Sequence, residues 1–502
     1  MDNLDIVQRN NLLFADEIAY NDFLRIQDQE KMYYYYTGDK SKLHEYLEKA
    51  LKKTWSDDRV KRMLFTYILL TRKIVRGLST VYNEPATREL TLNGKTDSKA
   101  TEYFNSILPD KTAKLDKQAH RLTKLLNTTL PMITFSAKKG KFEQILNPSH
   151  LYTVVQSENP RVADKIAYDK FFKINDENKL ITVVWDDERH FGLDANNSEI
   201  VLPYMDDPEA ESEDEKKLNP FGVKPFITFR MDETSSDFWG EGLTSLVEEN
   251  EVINEIATKF NLEDLIYGTT GILHGVNLGD LINKSPKKSS NDQQDEETEK
   301  TVMFGRDALV LTDTNPSQTI SPSINWIGTN PQILEIIEAL EWKMKTCAVN
   351  HGLNPNAFSM RTFPESGLSK LIDSASEITE RVDDVESCRD YEKQRFELIR
   401  IMNNKIIEGK YEGYEKLQPI DENLNLTIDF KEPKLQMSIS DKWTDREKEV
   451  AMNMKTPADF LLEDNPDIKT LKEAEAQIEA NKLKNDTNKA DKNTILNKDI
   501  IF

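Results

Sequence analysis

A few short stretches hold the residue types that catalysis or ligand binding needs. NGKTD (93–97) sets Gly94, Lys95 and Thr96 in the order that ends a phosphate-binding loop. In such a loop backbone N–H groups cradle phosphates, the lysine neutralises them and the hydroxyl holds magnesium. The full pattern needs a glycine five residues before Gly94, and Glu89 stands there, so no nucleotide site is expected. WDDERH (185–190) clusters Asp186, Asp187, Glu188 and His190 and could offer metal ligands; it is read instead as solvated charge where a strand turns. The six histidines are read as scattered, with no HxxxH pair and no Cys/His set. His274 and His351 are taken as polar loop residues rather than ligands. No GxSxG nucleophile turn occurs. MYYYY (32–36) could stack nucleic-acid bases, but no basic stripe interleaves it, which favours a helix surface packed on neighbours. No catalytic residue, cofactor or metal site is therefore expected, and the chain is not expected to be an enzyme.

The bulk properties bound the alternatives. A chain of 502 residues with 38% hydrophobic and 31% charged residues can build two to four modules with much solvated or interfacial surface. Only Cys347 and Cys388 occur, both in helical patterns, so a disulfide framework is not expected and a reducing compartment fits. No 18-residue apolar run is present, and MDNLDIVQRNN lacks the basic and apolar regions of a signal peptide, which predicts use in a cytoplasm. The net charge of −22 is uneven: residues 1–140 carry 24 Lys/Arg against 18 Asp/Glu (+6), leaving 42 against 70 (−28) for the rest. Such a body repels nucleic acid over most of its surface. That gives solubility, or a surface that must not stick to a passing polyanion.

Periodicity supplies the elements. Residues 15–82 predict helices: a stretch ending at Gly38, then SKLHEYLEKALKKTW, then one running from Asp57 to Tyr82. From about 128 to 230, LPMITFSA, HLYTVVQ, KIAYDKFFKI, KLITVVWDD, HFGLD and KPFITFRMD predict short strands, broken by an acidic loop at 206–217. WGEGLTSLVEENEVINEIATKFNLEDLIY (239–267) then opens a helix with Ser245 as cap and Glu248 three residues on. Leu246, Ile253, Ile256 and Phe260 form its apolar stripe. A second helix starts at Asn330-Pro331 and lines Ile333, Ile337, Leu340 and Met344 along one face. Between the two lies an insert (268–329) of β-prone pieces and the polar run 284–300, which cannot order itself alone. After an irregular loop (351–366), a third helix runs to about Ile407, with Leu371, Ala375, Ile378, Val382 and Val385 on one face and a length of roughly 60 Å. A strand, further helices and a polar tail complete the chain, and the expected class is α+β, mainly helical.

The order of these elements resembles the portal proteins of tailed bacteriophages, the head-to-tail connectors. Gly240-Glu-Gly-Leu-Thr-Ser245 resembles the glycine-serine start of their first stem helix, LEIIEALEWKMKTCAVNHGLNPNAF the second stem helix and its exit, and Ser366, Gly367, Leu368 and Leu371 the start of the long wing helix. MKTPADFLLEDNPDIKTLKEAEAQIEAN resembles the crown segment, with Thr456 where serine is commoner, and YYYYTGD an N-terminal tyrosine-glycine patch. The resemblance implies a portal-type ring subunit with wing (1–235), stem helix 1 (236–267), clip (268–329), stem helix 2 (330–350), tunnel loop (351–366), long wing helix and strand (367–440), crown (441–485) and a flexible tail (486–502). It implies a dodecamer, a homo-oligomer at one capsid vertex of the virion, assembled in the host cytoplasm. The ring would meet the major capsid protein, the terminase and a head-tail adaptor, and pass double-stranded DNA during packaging, retention and ejection. Asn354, Asn356, Ser359 and Arg361 would line the channel in the tunnel loop. Two other classes compete: a metal-dependent nuclease or terminase-like DNA enzyme, which needs a carboxylate cluster or a complete phosphate loop, and a cytosolic helical scaffold protein.

Overall fold

The computed structural model describes residues 20–61, 63–174, 177–196, 198–205, 212–234, 237–259, 269–274, 309–312, 323–328, 333–359, 375–431, 439–452, 454–465, 468 and 470–481. They belong to two compact units, one of residues 1–362 and 374–433, the other of 363–373 and 434–502. Helices and sheets both occur, in keeping with the α+β expectation.

The tyrosine run lies on α1 (Tyr20–Thr37), which buries Ile26, Met32 and Tyr35. Gly38 ends it at φ +68°, where an added Cβ would also lie 2.9 Å from Arg72 Nη2. Asp39 then caps α2 (Lys40–Leu51), its Oδ1 accepting from the N–H groups of Ser41 (2.9 Å) and Lys42 (3.2 Å). Leu43, Leu47 and Leu51 form its buried edge.

The helix expected over 57–82 is broken. One turn, α3 (Asp57–Val60), is followed by residues 63–69 without regular structure, and helix resumes as α4 (Leu70–Leu78). The cause lies far along the chain. Thr258 Oγ1, Asn254 Oδ1 and Asn250 Oδ1 accept from the backbone N–H groups of Thr66 (3.0 Å), Ile68 (2.7 Å) and Thr71 (3.0 Å). Asn250 Nδ2 also donates to the Ile68 carbonyl at 2.7 Å. These side chains replace intrahelical partners, so tertiary bonding overrides the local helical pattern.

Next, β1 (Thr87–Leu92) and β2 (Lys95–Thr96) form a hairpin turned by Asn93 (φ +50°) and Gly94 (φ +78°), the residue pair that tight hairpins favour. The Gly-Lys-Thr stretch is thus a hairpin, and Asp97 after it caps α5 (Ser98–Ile107) through bonds of 3.0 Å to the N–H groups of Lys99 and Ala100. Then come α6 (Thr112–Leu126), β3 (Thr128–Thr129) and the antiparallel pair β4 (Met132–Ser136) and β5 (Lys141–Ile145). The β-rich stretch is a meander of β6 (Tyr152–Gln156), β7 (Ala163–Ile174), β8 (Glu177–Trp185), β9 (His190–Leu193) and β10 (Glu199–Ile200), each antiparallel to the next. The WDDERH carboxylates close its β8–β9 turn. Asp186 Oδ1 accepts from the N–H groups of Glu188 (2.9 Å) and Arg189, and Asp187 pairs with Lys224 at 2.6 Å. KPFITFRMD contributes only β11 (Phe229–Arg230), paired with β3.

After α7 (Thr244–Lys259) the described residues of the insert form a three-stranded sheet. Its central β12 (Thr269–His274) lies parallel to β13 (Leu309–Thr312) and antiparallel to β14 (Ser323–Gly328); the run 284–300 lies outside the described residues. Helix α8 (Ile333–Asn350), helix α9 (Ala375–Glu408) and β15 (Leu424–Asp429), which pairs with β1 over six residues, complete the first unit. The second unit contains α10 (Ile439–Ala451), α11 (Pro457–Asp464) and a helix over 471–481. Thr456 caps α11 reciprocally: the Asp459 N–H donates to Thr456 Oγ1 (3.3 Å) and the Thr456 N–H to Asp459 Oδ2 (2.7 Å).

Helix α9 has 34 residues and spans roughly 50 Å. The expected apolar face is not the buried one. Val382 is 62% exposed and Val385 only half-buried, while Leu371 lies outside the described residues, as do the side chains of Ala375 and Ile378. The buried row begins polar, with Arg381, Asp384, Cys388, Glu392 and Arg395, and becomes apolar at Phe396, Ile399, Met402 and Ile406. Arg381 donates to the Lys431 carbonyl at 2.7 Å, and the other charges of the row are paired. Arg395 bonds Asp116 of α6 at 2.5 Å and also Glu392; Arg88 of β1 bonds Asp116 at 2.5 Å and Glu392 at 2.6 Å. Tyr82 donates to Glu392 Oε1 at 3.0 Å. Further up, Asp384 accepts from Lys124 (2.8 Å) and His120 (3.1 Å). Burial alone would raise the Glu392 pKa, but Arg395 and Arg88 outweigh it and hold the carboxyl below its usual range.

Glu392→Gln should destabilise the chain by about 3–5 kcal/mol at neutral pH, because it leaves buried guanidinium charge unbalanced. The pH sign follows from the lowered pKa. The carboxylate's contribution is full above its unfolded value of about 4.3 and is lost as pH falls through the lower native value. Urea unfolding of both proteins should therefore show a constant difference at neutral pH that closes only in acid. Equal midpoints at pH 7 would contradict the role given to the network.

Candidate functional site

The two helices read as stem helices, α7 and α8, pack on each other, and α7 packs also on α1, α2 and α4. Their approach explains the glycines before them. A Cβ on Gly240 would fall 1.8 Å from Asn127 Nδ2, and one on Gly242 would fall 2.7 Å from the Leu125 carbonyl oxygen. The chain crosses the end of α6 this closely because Gly240 N–H donates to Thr128 Oγ1 (3.1 Å) and Leu243 N–H to the Leu125 carbonyl (2.9 Å). The helix itself begins at Thr244, so Ser245 lies inside its first turn rather than at the cap.

Of the expected stem residues, Leu246, Ile253, Leu340 and Met344 are buried in one cluster and Ile256 is half-buried against it. Ile337 is half-buried, while Phe260 and the side chain of Ile333 lie outside the described residues. Sequence periodicity missed a second row on α7, in which Asn250, Asn254 and Thr258 recur every four residues and are buried. They are the groups that hold residues 66–71, so this face of α7 is filled by the chain itself.

The exit from α8 is a Schellman turn. Gly352 sits at φ +71°, its N–H donates to Val349 (3.0 Å), and the Leu353 N–H donates to Ala348 (2.9 Å). Leu353 then packs where a Cβ on Gly77 would meet it at 3.1 Å. Beyond it, Asn354 Oδ1 accepts from the Asn356 N–H at 2.8 Å and starts a short 3-10 turn over Pro355–Phe358. Phe358 is buried, the Lys73 ammonium lies 4.3 Å from its ring centre, and Ser359 Oγ donates to Glu341 at 2.8 Å. Two of the four residues placed in the tunnel loop, Asn354 and Ser359, thus bond within the chain. Asn356 is exposed, and Arg361 lies outside the described residues.

At the joint between α7 and α8 the structure brings together three residues not read as a set. Glu249 of α7, Cys347 of α8 and His351 just past its end each place one donor atom within 4.8 Å of the other two. The available signal was local: Cys347 and His351 are four residues apart and so share a helix face. Burial, reinforced by the Glu249 carboxylate, pushes the Cys347 thiol pKa up. Burial also lowers that of His351, against the pull of Glu249. Asn350 Nδ2 donates to Glu249 Oε1 at 3.2 Å. Alongside lies a cavity of about 250 Å³ whose walls include Asn127, Asp232, Glu241, Asn350 and His351.

Asn250→Ala would leave the Thr71 N–H and the Ile68 carbonyl without their partner in a buried position. The expected cost is about 2–3 kcal/mol, read as a lower urea midpoint, with faster amide exchange over residues 66–71. An unchanged midpoint would show that α7 does not hold that segment.

No protein-family model matches the chain, and no curated protein matches it. Among solved structures, the chain is similar to a chain of the "Virion of native gene transfer agent (GTA) particle", at 11% identity and a TM-score of 0.36, covering 76% of this chain and 84% of that one. It is also similar to a chain of the "Neck of empty GTA particle computed with C6 symmetry", at 10% identity and a TM-score of 0.35, covering 76% and 85%.

Proposed function

We propose that the chain is a portal-type subunit that repeats around a ring, with α7 and α8 forming the wall of a DNA channel. The observation that carries this reading is that α8 exposes three large apolar side chains on the side turned away from the subunit's core. One side, Leu340, Met344, Cys347 and Ala348, is buried inside the subunit. On the other, Leu334 is 73% exposed, Trp342 64% and Val349 56%. At 100° per residue these three lie within a stripe about 80° wide, which also holds Glu338 and Lys345. Three large apolar side chains exposed along one helix ask for cover that a single subunit does not supply. A neighbouring copy in a ring supplies it.

The remaining parts take their roles from this arrangement. The sheet β12–β14 stands in the chain between the two wall helices, the position of the clip, and is proposed to meet the terminase and later the head-tail adaptor. The loop after α8 is proposed to face the channel, where Arg361 is the cation the sequence supplies. The net charge of −22 suits a passage for double-stranded DNA, because a wall rich in lysine or arginine would bind phosphates and slow the strand.

Trp342→Asp tests the outer face without disturbing the core, since the side chain is exposed. Light scattering should give the unaltered chain the mass of roughly twelve copies of 57.9 kDa, near 700 kDa. The variant should run as a folded single chain by circular dichroism. A variant that still assembles to the same mass would remove this face from the subunit contact.

A further inference from the structure

We propose that Glu249, Cys347 and His351 bind one thiophilic divalent cation of the zinc class at the joint of the two wall helices. The donors are a carboxylate, a sulfur and an imidazole, a set that suits zinc or cobalt(II) rather than magnesium or calcium. They are held on rigid elements. Glu249 belongs to α7 and Cys347 to α8, and His351 is fixed by the Schellman turn that follows it.

Two of the donor groups are also incompletely used by the protein. His351 Nε2 and Glu249 Oε2 are both withdrawn from solvent without a hydrogen-bond partner, whereas buried polar atoms are nearly always paired. A cation placed among the three groups would engage both. Charge balance favours it as well. Binding displaces the proton of Cys347 Sγ to solvent, so thiolate and carboxylate together offset the two positive charges, and His351 coordinates as the neutral imidazole. Burial first, and the Glu249 carboxylate second, keep Cys347 protonated in the metal-free site; the cation takes that proton's place. Three protein donors leave a fourth position, and the adjoining cavity, with Asp232, Glu241 and Asn350 in its walls, has room for the water that would fill it. The ion would staple α7 to α8. This proposal does not depend on the ring reading, because it concerns contacts inside one subunit.

The test uses the full chain, reduced and freed of metal by a chelator, then titrated with cobalt(II). The expected result is one cobalt per chain, with tetrahedral visible bands and a near-ultraviolet sulfur-to-cobalt charge-transfer band. Cys347→Ser should abolish the charge-transfer band. Glu249→Gln and His351→Ala, at partly exposed positions that leave the core filled, should weaken binding at least about tenfold. Zinc should raise the melting temperature of the original chain and not that of His351→Ala. Absence of the band at stoichiometric cobalt, its persistence in Cys347→Ser, or unchanged affinity in both other variants would overturn the proposal.

Discussion

The neutral cluster of Arg88, Asp116, Glu392 and Arg395 is the constraint on which the first unit depends. Two cations and two carboxylates are withdrawn from water together, and each finds partners of opposite charge within 2.6 Å. None could be buried alone without a large desolvation penalty. Their side chains come from β1, α6 and α9, so these three elements must meet in one geometry before any of the charges is satisfied. Apolar contacts around them, such as Phe104 on Phe396 and Phe229 on Tyr391, tolerate small shifts; the ion pairs do not. The cluster therefore fixes where the long helix crosses the strand β1 and its partner β15.

A similar logic governs α7. On α7 the apolar residues supply burial, while Asn250, Asn254 and Thr258 decide which segment lies beside them. Polar side chains that bond to backbone specify register, since a slip of one residue would strand several donors at once. Among the described residues, α7 keeps one row bonded to its own chain and Val252 exposed, while α8 is buried on one side and exposes Leu334, Trp342 and Val349 on the other. That division of surfaces links the fold to the proposed function.

Much of the architecture was legible where the deciding signal is local. The helix end at Gly38 was read from the sequence; the Asp39 cap, the Asn93-Gly94 hairpin and the Thr456–Asp459 capping box carry local signals of the same kind that went unread. Alternating apolar residues gave the strands of the meander. The misreadings share one physical origin, a decision made by distant partners. Residues 57–82 look helical, yet their break is imposed from α7. The apolar face assigned to α9 was wrong because the buried face there is charged, and charge reads as solvated until its partners on β1 and α6 are known. The grouping of Glu249 with Cys347 and His351 was hidden because the carboxylate comes from another helix, although the four-residue step between Cys347 and His351 was visible.

The central claim, that α7 and α8 form a wall repeated around a ring, is tested most directly by electron micrographs of the purified chain. The account predicts annular particles with a central hole and about twelve repeats in end-on class averages. Single subunits, or compact particles without a hole, at every protein and salt concentration tried would contradict it.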